Sequence, residues 1–436
     1  MSGPDNAAPA YRDDESFART MDDRDPLRDY RERFHVPKLP DGRDVIYLAG
    51  NSLGLQPKTV RGSVESALDD WASLGVDAHF GGKVPWYPYH ESLRKPGATL
   101  VGALPDEVVF MNGLTVNLHL MMVTFYRPTD DRYKIVMEDC AFPSDTYAVK
   151  TQIAFHGRSP DNALIIAKPR EGEHALRSDD IEDLLEREGS KIALVLLGGV
   201  NYYSGQVFDM ARLTEAAHRN GCRIGLDLAH AAGNVELKLH DWNVDFAVWC
   251  TYKYLNSGPG AVAGCFVHRR HVQDTSLPRF GGWWGNDPKT RFRMHLEPEF
   301  KPLKTADAWQ LSNPPILAMA PVLASLRIFD EAGMAAIRAK SRTLTGYLQF
   351  LLDRASNDPD KSGGRFEVIT PRNPAERGCQ LSILVHDDLE PRRDALQSAG
   401  VVCDFREPNV IRAAPVPLYN SYRDVRRFVR IILRLD

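Results

Sequence analysis

The stretch Arg223–Gly260, RIGLDLAHAAGNVELKLHDWNVDFAVWCTYKYLNSGPG, decides the fold. It contains two short apolar runs, RIGLDL and DFAVWC, each ending on groups that water solvates strongly. Asp227 and His230 follow the first run, and Tyr252 and Lys253 follow the second. Short apolar runs bounded by turn residues read as buried strands. A carboxylate at a buried strand end is costly unless something cationic meets it. Taken singly, Asp227 could cap the AHAAG turn and Lys253 could extend its stem to water. The glycine-rich NSGPG turn after Lys253 favours a ligand instead, because it lets backbone approach closely.

Outward from this stretch the same rhythm continues. EVVFMN, YKIVME, ALIIAK, IALVLLGG and AVAGCFVH read as further strands, and DDIEDLLEREG and DMARLTEAAHRNG as helices between them, the second stopping at Gly221. Continuous apolar strands separated by helices predict a mostly parallel sheet covered on both faces. Ligands of such sheets gather beyond the carboxyl ends of the strands. From about Ile316 the pattern changes to long helical stretches, then FEVIT and QLSILVHD as isolated strands. A helix DALQSAG, a strand pair around VVCDF and VIRAAP, and a last helix SYRDVRRFVRIILRL follow. The expected organisation is an N-terminal arm and segment over 1–90 packing with the small domain, a large domain over 91–320, and a small α+β domain over 321–436.

The totals narrow the class of function. The 436 residues suffice for two domains and a large core. With 54 basic and 58 acidic residues there is no field favouring nucleic acid or an anionic membrane. No apolar run approaches the roughly 20 residues of a membrane span. The polar N-terminus reads as a mobile arm leading into a helix, without the apolar core of a signal peptide. Cys140, Cys222, Cys250, Cys265, Cys379 and Cys403 are scattered without CxxC pairs, which fits a reducing cytoplasm.

Asp227 and then Lys253, on consecutive strand ends of a parallel sheet, form the arrangement that holds pyridoxal 5'-phosphate, one residue for the ring nitrogen and one for the aldehyde. A phosphate site is offered by VVFMNGLTVNLHL, where a helix opens at Leu114 and Thr115, with free N–H groups and a hydroxyl. Phe142, after YKIVME, could face the ring. A rival reading is a serine hydrolase, since GNSLG fits G-x-S-x-G and Ser52, Asp227 and His230 follow in order. Against it, no helix starts at once after the serine, and triad members usually lie on separate loops. GPGAVAG leads into a strand rather than a helix, so it is no dinucleotide loop, and HRRH (268–271) reads as a surface charge cluster.

The motifs GNSLGLQP, NGLTVNLHL, FPSD, GVNYYSGQ, DLAHAAGNVELKLHDW, YKYLN, GGWWG, SNPP and APVPLYNSY, in this order from about residue 45 onward, resemble the kynureninase family. That family has the aspartate-aminotransferase-like fold (fold type I), with a mostly parallel central sheet and a smaller α+β domain. The resemblance implies that Lys253 holds pyridoxal 5'-phosphate covalently and that Tyr252 contacts the phosphate and donates a proton. Asp227 would pair with the pyridine nitrogen, with His230 beside it. Leu114 and Thr115 would take the phosphate, Phe142 would stack on the ring, and Asp145 would lie close. Trp283 and Asn313 would reach cofactor and substrate in a site completed across a homodimer. Arg412 would grip the substrate carboxylate, while His79, Ser312 and Asn313 would face the substrate ring, as in members favouring 3-hydroxykynurenine. Gly198 stands where animal members carry a serine. The activity implied is hydrolytic Cβ–Cγ cleavage of kynurenine or 3-hydroxykynurenine in tryptophan catabolism and NAD biosynthesis. A desulfurase or an aminotransferase would share the fold, but no cysteine stands in an evident mobile loop.

Overall fold

A computed structural model describes residues 10–356 and 366–433; the start of the N-terminal arm lies outside them. The expected strands all form, as β1 (Val108–Met111), β2 (Lys134–Glu138), β3 (Leu164–Ala167), β4 (Ile192–Gly198), β5 (Arg223–Asp227), β6 (Phe246–Trp249) and β7 (Ala263–Val267). They join in one sheet of order β1-β7-β6-β5-β4-β2-β3, in which only β7 runs antiparallel to its neighbours.

Side chains on successive strand positions point to opposite faces. Val108, Phe110 and Val136 therefore enter one hydrophobic cluster, with Trp249 and Phe329, while Val109, Met111, Ile135 and Met137 enter another, with Phe125 and Trp309. Burial on both faces explains why the strands read as unbroken apolar runs. Helix α1 (Leu114–Phe125) follows β1, and helix α2 (Pro143–Phe155) follows β2.

A third cluster, with Leu348, Ile383, Ile411 and Phe428 at its centre, forms the small domain. Its antiparallel sheet has the order β10-β11-β9-β8, with β8 Phe366–Val368, β9 Leu381–Val385, β10 Asp404–Arg406 and β11 Val410–Ala413. The strands FEVIT and QLSILVHD are thus paired with each other rather than isolated. The N-terminal segment is divided between clusters: Phe17 and Leu48 enter this one and Ile46–Tyr47 pairs in parallel with Val401–Val402, whereas Leu27, Phe34, Leu55 and Tyr89 enter the cluster of Trp249 and Phe329. Helix Ile316–Ala332 runs through residue 321, where the sequence reading divided large from small domain. HRRH is also more than a surface cluster, because His271 is buried and meets Asp245 at 2.7 Å.

Candidate active site

Register places the chemistry at the carboxyl ends of the strands. Asp227 lies beside Gly198 of β4 and Val248 of β6. One oxygen, Oδ1, accepts the Ala229 N–H at 2.7 Å, so the carboxylate does cap the turn that follows it. Beyond the end of β6, Lys253 Nζ lies 3.0 Å from His230 Nε2 and 5.5 Å from the centroid of the Phe142 ring. Thr115 in the first turn of α1 and Ser144 in the first turn of α2 bring their hydroxyls to 3.0 Å of each other. Two helix starts with free N–H groups thus converge on one cleft, a ready site for a phosphate. Leu114, Thr115, Phe142, Asp145, Asp227, His230, Tyr252 and Lys253 all line it.

The cleft is poor in cations. Asp145 is pushed well above the ordinary carboxyl range by burial first, then by the charge of Asp227 and a hydrogen bond to it. Glu138, ending β2, is pushed up to about 7 by burial. His230 is driven well below its ordinary value by burial and then by the Lys253 ammonium, so the ring is neutral. The Tyr252 phenol is not drawn down toward neutrality. Burial, then Cys250 and Asp227, raise it instead, because the groups nearest this phenol are a thiol and a carboxylate rather than cations. Held up in this way the phenol keeps its proton, and to act as an acid it would need a cation beside it to draw it back toward the working pH.

The glycines of GNSLG explain that motif. The Gly54 N–H donates to the Tyr252 carbonyl at 2.8 Å, and a Cβ at Gly54 would lie 2.8 Å from Asn256 Cα and run into the Lys253 carbonyl. At Gly50 a Cβ would run into Val416 and Tyr419. The motif is a spacer that seats the lysine loop against the APVPLYNSY segment. Ser52 is exposed on a turn, the next helix starts at Thr59, and His230 Nε2 faces Lys253, so the hydrolase triad does not assemble.

Arg412 lies on β11, an inner strand, 1% exposed. Its fork is engaged within the chain: Nη2 donates to Asp404 Oδ2 at 2.5 Å and Nη1 to the Tyr202 carbonyl at 2.6 Å, while Nε has no partner. Asp404 is shared with Arg406 at 3.0 Å, so two guanidiniums meet one carboxylate and a positive charge remains. Tyr202 stands between Arg412 and Phe142, its ring 5.6 Å from the guanidinium carbon and 5.3 Å from the Phe142 ring.

The remaining predicted residues gather elsewhere. His79 and Asn313 line a second, apolar cavity of about 450 Å³ with Trp71, Trp86 and Trp284. Trp283 packs edge-on against Trp284 at 5.0 Å, and Ser312 is exposed beside Asn313. Within one chain, Trp283 and Asn313 do not line the Lys253 cleft. Glu138, Ser144 and Tyr202 were missed in the sequence. Glu138 ends YKIVME as Asp227 ends RIGLDL, so the same signal was there to find.

The residues fit pyridoxal 5'-phosphate. Three carboxyls crowd one cleft with Lys253 as its one ammonium, the buried His230 Nδ1 and Asp145 Oδ1 have no protein partner, and the hydroxyls lie at helix starts. A pyridinium, a phenolic oxygen and a phosphate would meet these needs.

Comparison with known proteins agrees. Residues 46–358 match the class-V aminotransferase family, and residues 337–432 match the kynureninase C-terminal domain. Fold and cleft together define a pyridoxal-phosphate enzyme of the class-V aminotransferase type. Solved structures of that fold include a cysteine desulfurase from Thermococcus onnurineus, with TM-score 0.71 and 19% identity over 90% of this chain and 94% of that one. A variant with glycine covalently linked to its pyridoxal phosphate aligns at TM-score 0.74 and 17% identity, over 92% and 98% of the two chains. Sequence relatives are more specific. A kynureninase of Koribacter versatilis is 57% identical over 97% of this chain and 98% of its own, and one of Myxococcus xanthus is 55% identical over 97% of each. The chain belongs to the kynureninase family, and pyridoxal 5'-phosphate is its cofactor.

Proposed function

We propose that this chain hydrolyses the Cβ–Cγ bond of 3-hydroxykynurenine, and of kynurenine less efficiently, releasing the aromatic acid and alanine. The observation that carries the chemistry is the pairing of Asp227 and Lys253 on adjacent parallel strand ends, with neutral His230 3.0 Å from the amine. Bound pyridoxal phosphate supplies an electron sink for charge developing at the substrate Cα. Lys253 would hold the cofactor, and its Nζ, when free, would move the substrate Cα proton. Asp227, kept oriented by the Ala229 N–H, would keep the pyridine nitrogen protonated. Thr115, Ser144 and the starts of α1 and α2 would hold the phosphate, with Phe142 beside the ring. Water adds to the γ-carbonyl and the aromatic acid leaves; the Tyr252 phenol then protonates Cβ. Positive charge left over from Arg412, Arg406 and Asp404 draws the substrate carboxylate, which takes over part of the Arg412 fork.

The aryl group is assigned to the cavity of His79 and Asn313, supplied by a second copy of the chain. Trp71, Phe80, Phe292 and Leu296 are exposed, and Phe80 meets Phe292 at 6.2 Å, apolar side chains that a partner would cover. We place the dimer in the cytoplasm, in tryptophan catabolism, in line with free cysteines and with no helix among the described residues long and apolar enough to cross a membrane. A cysteine-based reaction is disfavoured at the one exposed thiol, Cys140, which burial and Asp139 hold above its ordinary value. The test is to compare kcat/KM for the two kynurenines while following the visible spectrum. A colourless, fully active preparation would refute the cofactor role, and a clear preference for kynurenine would refute the substrate assignment.

A further inference from the structure

The carboxyl of Glu138 has no part in the chemistry above, yet it is buried and lines the same cleft as Lys253. It receives no cation. Its donors are backbone groups: its own N–H and the Gly198 N–H, the latter at 3.1 and 3.2 Å from its two oxygens. The seat is shaped for it, since a Cβ at Gly198 would lie 2.8 Å from Glu138 Oε1. A side chain at 198 and this carboxyl therefore compete for one space. The titratable groups around Glu138 are Asp227 from β5, Asp145 from α2, Cys140 from the loop between, and Lys253 and His230 across the cleft. Like charges this close in a water-poor site do not all ionise together.

We infer that Glu138 is a positioning residue of the cofactor site, a carboxyl parked on the Gly198 amide whose charge state sets the electrostatic balance between Asp227 and the Lys253 linkage. This deepens the pyridoxal-phosphate reading and rests on it. When ionised, Glu138 would add a negative charge to the cleft beside Asp227 and favour positive charge at the Lys253 side; when protonated, it would add none. Burial pushes this acid up to about 7, so its charge changes near neutral pH.

The experiment is a pH titration of the visible spectrum of the holoenzyme and of Glu138→Gln, which keeps shape and removes the charge. The expected result is a downward shift of the spectral midpoint by about half a unit or more, since the variant cannot acquire the negative charge that favours the cationic form. In the cofactor-free protein, Glu138→Gln should also flatten the loss of thermal stability between about pH 4.3 and about pH 7. If Glu138→Gln does not fold, Gly198→Ala displaces the carboxyl by its added methyl and should shift the midpoint instead. Borohydride labelling of Lys253 accompanies each titration. Labelled Lys253 with an unmoved midpoint overturns this inference alone, whereas unlabelled Lys253 overturns the cofactor reading beneath it.

Discussion

The central sheet buries acids at both ends, and the two ends treat them in opposite ways. At the amino ends of β5 and β6, Asp245 is fully buried and surrounded by donors. His218 and His271 meet it at 2.9 and 2.7 Å, Arg270 and Arg223 at 2.7 and 3.1 Å, and the Ile224 N–H at 2.8 Å. These partners outweigh its burial and hold the carboxyl far below the ordinary range. At the carboxyl ends, Glu138 and Asp145 are equally buried but lack such partners, and both are pushed upward. A buried acid with every lone pair met is part of the scaffold. One left unmet beside an amine is stored capacity for a ligand.

Exchanging the roles of the two ends should separate activity from stability. Lys253→Ala removes the one ammonium of the carboxyl-end cleft, so it should abolish turnover and the visible band while leaving the far-UV spectrum and the unfolding midpoint close to wild type. Retained turnover would show that the cleft is not the reaction centre. Asp245→Ala should do the reverse. It strands two guanidiniums and two imidazoles and should cost about 3–5 kcal/mol in urea unfolding, with unchanged turnover per folded molecule. If Asp245→Ala cost under about 1 kcal/mol, the contrast between the two ends would fail.

The same contrast fixes the sign of a pH effect. Asp245 has a lowered folded value, so its stabilisation is complete above the unfolded value of about 4 and is lost as pH falls below it. Glu138 has a raised folded value, so it binds a proton in the folded state that the unfolded chain has released. Its effect is a fall in stability as pH rises from about 4.3 toward about 7. Thermal unfolding of the cofactor-free protein should therefore show a maximum in mildly acidic buffer, and saturation with pyridoxal phosphate should lift the neutral side most. A flat profile across that range would contradict the assignment of Glu138. A smaller effect is expected at Gly54→Ala, whose methyl meets the Lys253 carbonyl and Asn256. Overpacking of this kind costs about 1–3 kcal/mol and should appear as weaker cofactor binding, measured by fluorescence titration.

How far the sequence speaks follows from the same physics. The large sheet was legible because burial on both faces writes β1 to β7 as unbroken apolar runs. Asp227 and Lys253 were legible because polar residues closing such runs are conspicuous. Glu138 closes one too, and escaped because its partner is the amide of Gly198, which leaves no mark in the side-chain sequence. The shared Asp404 between Arg406 and Arg412, and the spacer role of Gly50 and Gly54, depend on contacts between distant segments that no local pattern encodes. The upward shift of Tyr252 also needed the positions of Cys250 and Asp227.

The smallest expected effect is at the cavity of His79, separate from the Lys253 cleft within one chain, and it tests whether recognition of the aryl group is separable from the chemistry. His79 Nδ1 is 3.0 Å from the Val76 carbonyl, which leaves Nε2 as the nitrogen free to meet a ring substituent. Its ring is braced edge-on by Trp86 at 5.3 Å, so truncation opens space without collapsing a loop. One neutral hydrogen bond is worth about 1.4 kcal/mol at most, a factor of about ten. His79→Ala should therefore lower kcat/KM for 3-hydroxykynurenine by about tenfold and leave kynurenine nearly unchanged, with the same visible spectrum as wild type. An equal loss on both substrates would make His79 a packing residue of the aromatic wall, and the hydroxyl would have to be read by Ser312 or Asn313 instead.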